Sequence, residues 1–163
     1  MTAPIICPRR AVLPEWIDYN GHLNVAYYHV LFDKALDEVF DQLGIGVDYV
    51  KTEGGTSFTM EVHVCYLQEL SLGDPVEIRY QLLDVDAKRI HVFGEMFHAE
   101  TGYLAATSEQ LCLHVSMETR RSSPFPEAIQ RRIAAVMDEH RPLPRPEQAG
   151  RVIGIKRTTP AVS

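Results

Sequence analysis

The stretch Asn24-Val25-Ala26-Tyr27-Tyr28-His29-Val30-Leu31-Phe32-Asp33-Lys34-Ala35-Leu36-Asp37-Glu38-Val39-Phe40-Asp41-Gln42-Leu43-Gly44 decides the fold. Tyr28, Phe32, Ala35, Val39 and Leu43 recur at steps of three or four, and Leu31, Leu36 and Phe40 widen that face. Asp33, Lys34, Asp37, Glu38 and Asp41 fill the remaining side. This is the pattern of an amphipathic helix from about Asn24 to Leu43, ended by Gly44-Ile45-Gly46. So broad an apolar face with a single wet stripe has to be wrapped by something large.

Downstream the period changes from 3.6 to 2. Ser57 to Leu67 alternates, with Phe58, Met60, Val62, Val64 and Tyr66 on one face and Thr59, Glu61, His63 and Cys65 on the other. Leu70-Ser71-Leu72-Gly73-Asp74-Pro75 reads as a turn, Val76 to Val85 and Arg89 to Ala99 as strands, Glu100-Thr101-Gly102 as a hairpin turn, and Tyr103 to Met117 as a long last strand. Short turns between consecutive strands imply an antiparallel meander. Arg120 to Pro126 breaks the pattern, and a shorter helix follows from Glu127 to about His140 with Ile129, Ile133, Val136 and Met137 as its stripe. The expectation is an α+β domain over residues 1–141, a curled antiparallel sheet of about five strands wrapped around one long helix, plus a short C-terminal helix. Pro142, Pro144, Pro146 and Gly150 mark residues 142–163 as an extended or disordered tail. One sheet of this size leaves an edge strand bare, which edge-to-edge pairing in a homodimer, or a homotetramer, would cover.

Composition limits the function. At 163 residues with 45% apolar content the chain is of single-domain size with one real core. A formal net charge of -6 argues against a nucleic-acid partner. No apolar run reaches spanning length, so no membrane association is expected. The first ten residues lack the basic and apolar regions of a signal peptide, and Cys7, Cys65 and Cys112 are odd in number without CxxC spacing. The expected location is the reducing cytoplasm.

Just before the helix runs Asp18-Tyr19-Asn20-Gly21-His22-Leu23-Asn24-Val25, with one carboxylate, one imidazole and two carboxamides around a glycine. A helix start offers unpaired N–H groups and a positive dipole end, both suited to developing negative charge. There Asp18 can serve as nucleophile or as general base toward water. The plainer reading is a capping network in which Asp18, Asn20 or Asn24 satisfies the free N–H groups. His22 has the chemistry to orient Asp18 or bind a carbonyl, or to be a structural hydrogen-bonding residue.

The sequence Asp18-x-Asn20-x-His22-x-Asn24, followed by an aromatic-rich helix, resembles the hotdog-fold thioesterases. It is similar to the 4-hydroxybenzoyl-CoA thioesterase group and to the Asp-x-Asn-x-His pattern of plant acyl-ACP thioesterases. The resemblance runs from about Val12 to Arg121 and takes in the Leu72-Gly73-Asp74 turn and the Thr101-Gly102-Tyr103 hairpin. Through Asp18 to Tyr28, Tyr66-Leu67 and Lys88-Arg89-Ile90-His91 it is similar to the thioesterase type found with carnitine degradation. The resemblance implies hydrolysis of an acyl-CoA thioester without metal or organic cofactor. Asp18 would be nucleophile or base, the backbone N–H near Asn24 or Val25 the oxyanion site, and His22, Asn20 and Asn24 supporting groups. Some hotdog enzymes place the working acid on the central helix, whereas here Asp33, Asp37 and Glu38 read as its wet stripe. The alternatives are a hotdog hydratase or dehydratase, lacking here the usual Gly-rich segment, and an acyl-CoA-sensing module without turnover.

Further residues are candidates for binding. Thr59, Glu61 and His63 would share a strand face that a dimer brings to a partner's Asp18, or form an ordinary wet face. Trp16, Tyr27, Tyr28 and Tyr66 have the chemistry to cage a trimethylammonium group, or to be core. Coenzyme A phosphates need cations, and Arg120-Arg121 and Lys88-Arg89, with Ser122 and Ser123, are candidates against ordinary surface charge. His63-x-Cys65 and Cys112-x-His114 could join around zinc only if their strands were neighbours, but the usual spacing is missing and no metal is expected.

Overall fold

The computed structural model describes residues 3–157. Helix α1 spans Val25–Leu43. It starts where Asn24, in extended conformation, accepts the Ala26 N–H on its side chain, and it stops at Gly44, whose φ of 78° lies in the left-handed region. The predicted stripe is the buried one: Tyr28, Leu31, Phe32, Ala35, Leu36, Val39 and Leu43 are buried, while Asp33, Lys34 and Asp37 are exposed.

Short strands β1 (Ile5–Ile6) and β2 (Arg10–Ala11) precede α1, and helix α2 (Val47–Glu53) follows it. Strands β3 (Gly55–Tyr66), β4 (Pro75–Val85), β5 (Arg89–His98) and β6 (Leu104–Ser116) come next, then helix α3 (Glu127–His140). Helix α2 was not predicted. Its seven residues between two glycines, with Tyr49 alone buried, are too few to show a helical period.

All strand pairs are antiparallel, in the order β1-β4-β5-β6-β3, with β2 also on β4. The expected meander therefore holds for β4, β5 and β6, but β3 pairs with β6 and not with its successor β4. The connection from Tyr66 to Pro75 crosses the end of the sheet and is tied to the start of α1: the Leu23 N–H donates to Leu70 O at 2.8 Å, and the Leu70 N–H to Tyr28 Oη at 3.1 Å. Among the described residues β3 has one neighbour, so its other edge is bare.

The core forms where α1 lies across the inner face of the sheet, lined by Ile78, Tyr80, Leu82, Ile90, Val92, Met96, Ala106 and Cys112. Tyr80 locks the two layers, its hydroxyl donating to Phe32 O at 3.0 Å and accepting from Gln110 Nε2 at 3.1 Å. Gly94 is required beneath that ring, since a Cβ there would come within 2.7 Å of it. Helix α3 buries Ile133 and Met137, and His140 Nδ1 accepts the Leu82 N–H at 2.9 Å beyond the stretch of β4 that β1 and β2 cover. Among the described residues no helix is long and apolar enough to cross a membrane.

Residues 142–157 contain turns, and the Gly150 N–H donates to Glu109 Oε2 on β6 at 2.7 Å. The last six residues of the expected tail lie outside the described residues.

Candidate active site

The polar cluster before α1 folds into a tight loop closed by a bridge between Ile17 and Leu23. The Asp18 N–H donates to His22 O and the Gly21 N–H to Asp18 O, both at 3.0 Å, and Gly21 takes a φ of 82° that a side chain would strain. Asp18 Oδ1 accepts the Asn20 N–H at 2.8 Å, which fixes one carboxylate oxygen and leaves Oδ2 without a backbone partner in the loop. The Asn24 N–H donates to Trp16 O at 2.9 Å. At the helix start, the Ala26 N–H goes to Asn24 Oδ1 and the Tyr27 N–H to Asn24 O, so Val25 carries the remaining first-turn donor next to the loop. The hydrogen bonds within the cluster are thus divided. Asn24 caps the helix, and Asp18 does not.

This loop forms one side of a cleft of which Tyr66, Leu67, Gln68 and Glu69 form the other, with Asp18, Asn20, His22, Leu23, Val25 and Tyr28 completing the lining. Tyr28 and Tyr66 meet edge to face at 5.2 Å, and the Tyr66 hydroxyl donates to Val25 O at 3.2 Å. Burial pushes both phenols above the usual tyrosine range. His22 Nε2 lies 3.2 Å from Glu69 Oε2. The sequence reading did not single out Glu69. Its place beside the Tyr66-Leu67 segment was the available signal, but the crossing of β3 to the far edge is what carries it to the loop.

The other candidates fall elsewhere. Trp16 and Tyr27 stack on each other at 5.7 Å, Trp16 being buried, and neither lines the cleft. A bulge between Thr59 and Glu61 reverses the parity of β3. Thr59 pairs with inward-facing Cys112, while Glu61 and His63 pair with Leu111 and Glu109 on the outer face, so Thr59 and Glu61 do not share a face as expected. The same bulge separates the two His/Cys pairs: Cys112 and His114 point inward and His63 and Cys65 outward, and among the described residues no cluster suits a metal. His114 is instead held by the Tyr49 hydroxyl and Ser123 O, each at 2.8 Å.

The basic residues gather at the opposite end of the sheet from Asp18. The His114 N–H donates to Lys88 O, the Ser116 N–H to Arg121 O, and the Phe125 N–H to Ala87 O, which places Lys88 beside the Arg120-Arg121 turn. Arg120 there has a φ of 57°, left-handed for a side chain. Arg89 is paired with Asp86. Gly55 opposite Ser116 and Tyr66 opposite Ala106 mark the two ends of β3, separated by roughly 35 Å at ~3.3 Å per residue.

Comparison with known proteins places this geometry. Residues 12–133 match the model of the thioesterase-like superfamily. The chain is 42% identical over 144 residues to a betainyl-CoA thioesterase of Pseudomonas aeruginosa, covering 88% of this chain and 91% of the relative. A Staphylococcus aureus protein solved in complex with CoA superposes with a TM-score of 0.88 at 32% identity, over 96% of this chain and 99% of that one. A 1,4-dihydroxy-2-naphthoyl-CoA thioesterase from Synechocystis superposes with a TM-score of 0.70 over 80% of this chain and 96% of its own. At 15% identity that last likeness is one of fold, the hotdog fold expected from the sequence.

Proposed function

The chain belongs to the thioesterase-like superfamily and is an acyl-CoA thioesterase, and on that premise we propose that it hydrolyses betainyl-CoA, a thioester with a small cationic acyl group, to betaine and CoA. The observation that carries this reading is that Asp18 and Val25, the first residue of α1, line one cleft.

Asp18 takes the proton from a water whose oxygen adds to the thioester carbonyl carbon. The oxyanion accepts the Val25 N–H at the positive end of α1, where one such donor is worth about 3 kcal/mol in the transition state. The intermediate then expels the CoA thiolate with rupture of the C–S bond, and the proton on Asp18 passes to the sulfur. In the variant of this route Asp18 adds to the carbonyl carbon, the tetrahedral adduct breaks its C–S bond to release the thiolate and leave a mixed anhydride, and water hydrolyses the anhydride to the free acid and the restored carboxylate, one of its protons passing to the thiolate. Both routes use the carboxylate oxygen that Asn20 does not hold. His22 stands beside the carbonyl as a supporting group.

The acyl group is read from the cleft. Its lining combines Asp18 and Glu69 with Tyr28 and Tyr66 and includes no lysine or arginine. A trimethylammonium donates no hydrogen bonds and is bound by carboxylate charge and aromatic faces. The 42% identical relative carries that activity by name.

The CoA end requires a second copy. Antiparallel pairing of β3 with its own copy covers the bare edge and the exposed Met60 and Val62 near its middle. It also sets the Gly55 end of one chain, with Lys88, Arg120 and Arg121, against the Tyr66 end of the other, so each Asp18 cleft receives phosphate-binding cations from its neighbour. Three free cysteines fit a reaction carried out in the cytoplasm.

The test compares thiol release from betainyl-CoA with release from 3,3-dimethylbutyryl-CoA, its neutral isostere. A preference of at least about tenfold in kcat/KM for the cation is expected, on the scale of one desolvated cation–π and carboxylate contact. Equal rates contradict the acyl assignment, and no thiol release from any acyl-CoA contradicts hydrolysis.

A further inference from the structure

The outer face of the sheet carries a second cleft, away from Asp18. Glu61, His63, His91, Glu109 and Leu111 line it on the sheet side, and Gly150, Arg151 and Val152 of the C-terminal segment close it on the other. Glu109 is occupied on both oxygens, by His91 Nε2 at 2.7 Å and by the Gly150 N–H at 2.7 Å. The segment is thus anchored at Gly150, whose φ of 76° turns the chain. Past this anchor, Val152, Ile153 and Ile155 are 83%, 85% and 84% exposed. Three branched apolar side chains in four residues, all in water, mark a surface made for contact.

Charge and position indicate what it contacts. Residues 151–157 read Arg151-Val152-Ile153-Gly154-Ile155-Lys156-Arg157, three cations and no acid in a chain of net charge -6. The cleft in which they begin extends from His91 on β5 across Glu109 on β6 to Glu61 and His63 on β3, the strand with the bare edge, so the segment starts within reach of that edge. Antiparallel pairing of two β3 strands from Gly55 to Tyr66 places their middle, Met60 and Glu61, on the two-fold axis. Directly across the seam, on the same outer face, the segment then meets the second copy's Glu61 and its exposed Phe58.

We propose that residues 151–157 form a strap that crosses the β3 seam and docks on the outer sheet face of a second copy of this chain. Val152, Ile153 and Ile155 cover that copy's Phe58, and Arg151, Lys156 and Arg157 face its Glu61. By symmetry each dimer carries two straps, one from each chain. Glu61 thereby belongs to the interface between copies and not to the acyl site. The strap rests on the reading that two copies pair along β3, and the experiment separates the two.

Sedimentation on dilution of the full-length protein is compared with that of the triple variant Val152→Ser, Ile153→Ser, Ile155→Ser. These side chains are exposed within one chain, so its fold and melting by circular dichroism at monomeric concentration stay unchanged. The expected result is a wild-type dimer whose dissociation constant rises at least tenfold in the variant. A wild-type dimer with the same dissociation constant in both proteins overturns the strap alone. A wild-type monomer at micromolar concentration overturns the β3 pairing and the strap with it. In a Cys65→Ser background, the pair Phe58→Cys and Ile153→Cys is expected to oxidise to a covalent dimer, and a bridge formed only within one chain overturns the proposal.

Discussion

The imidazole of His22 is held by Glu69, with Nε2 3.2 Å from Oε2, although Asp18 is its close neighbour in sequence. The pair joins the loop before α1 to the β3–β4 connection and brings a second carboxylate to the cleft. Both side chains are substantially exposed, so the pair adds little to folding stability. On the function proposed above, it supplies negative charge near the acyl group. Glu69→Gln is expected to lower kcat/KM for betainyl-CoA about fivefold, the equivalent of about 1 kcal/mol for a partly exposed charge contact, and to change that for the neutral isostere by less than about twofold. Equal losses on both substrates would assign Glu69 to orienting His22 instead.

Acid should loosen the packing of α3 against β4. His140 is buried, accepts the Leu82 N–H, and is held below the usual histidine pKa by desolvation. A depressed folded pKa means that the unfolded chain binds the proton more readily. The resulting stability is therefore complete above the unfolded value near 6.5 and is lost as pH falls below it. Thermal melts between pH 7.5 and pH 5 are expected to show a falling Tm that His140→Gln flattens, since glutamine can accept the same N–H without charging. An unchanged slope in the variant would remove His140 from the cause.

Gly94→Ala sets a methyl within 2.7 Å of the Tyr80 ring and 3.2 Å of Phe32. Neither can retreat easily, because the Tyr80 hydroxyl is bonded to Phe32 O and Gln110. The expected cost is about 1–3 kcal/mol, a Tm lowered by roughly 3–10 °C in a protein of this size. A neutral result by calorimetry would mean that the core is looser at this crossing than the geometry indicates.

Thiol chemistry should single out Cys65. Burial pushes Cys7 up to about 12 and Cys112 up to about 11, whereas Cys65 is half-buried on the outer face. The thiolate is the reacting form. At pH 8 a disulfide reagent is expected to titrate one thiol per native chain and three after denaturation. Three fast thiols in the native protein would contradict the buried placement of Cys7 and Cys112.

The parts of the fold that repeat within a short window were legible in the sequence. Helix α1 was read nearly to the residue because its buried side chains recur every three or four positions, and the four long strands because theirs recur every two. What depends on partners distant in sequence was not. The alternation of Phe58, Met60 and Val62 runs unbroken through the bulge at Met60, so nothing in the order of residues signals that the faces exchange there. The pairing of β3 with β6 is likewise set by how the connection through Leu70 is tied to α1, and period alone does not name a strand's neighbour. The cleft divides the same way. Asp18, Asn20 and His22 come from one loop and were visible together, whereas Glu69 arrives through tertiary structure. Asn24 stood open between cap and ligand until its side chain was found on the Ala26 N–H.

Asp18 is tested most directly by replacing it with asparagine. The carboxamide keeps an oxygen for the Asn20 N–H, so Asp18→Asn should melt within about 2 °C of the wild type, as expected when a loop hydrogen bond is retained. The measurement is CoA thiol release from saturating betainyl-CoA by both proteins. A fall in kcat of about 10²- to 10⁴-fold with an unchanged fold is the expected result for loss of a positioned base or nucleophile. A folded Asp18→Asn protein that releases CoA at the wild-type rate would contradict the catalytic role of Asp18.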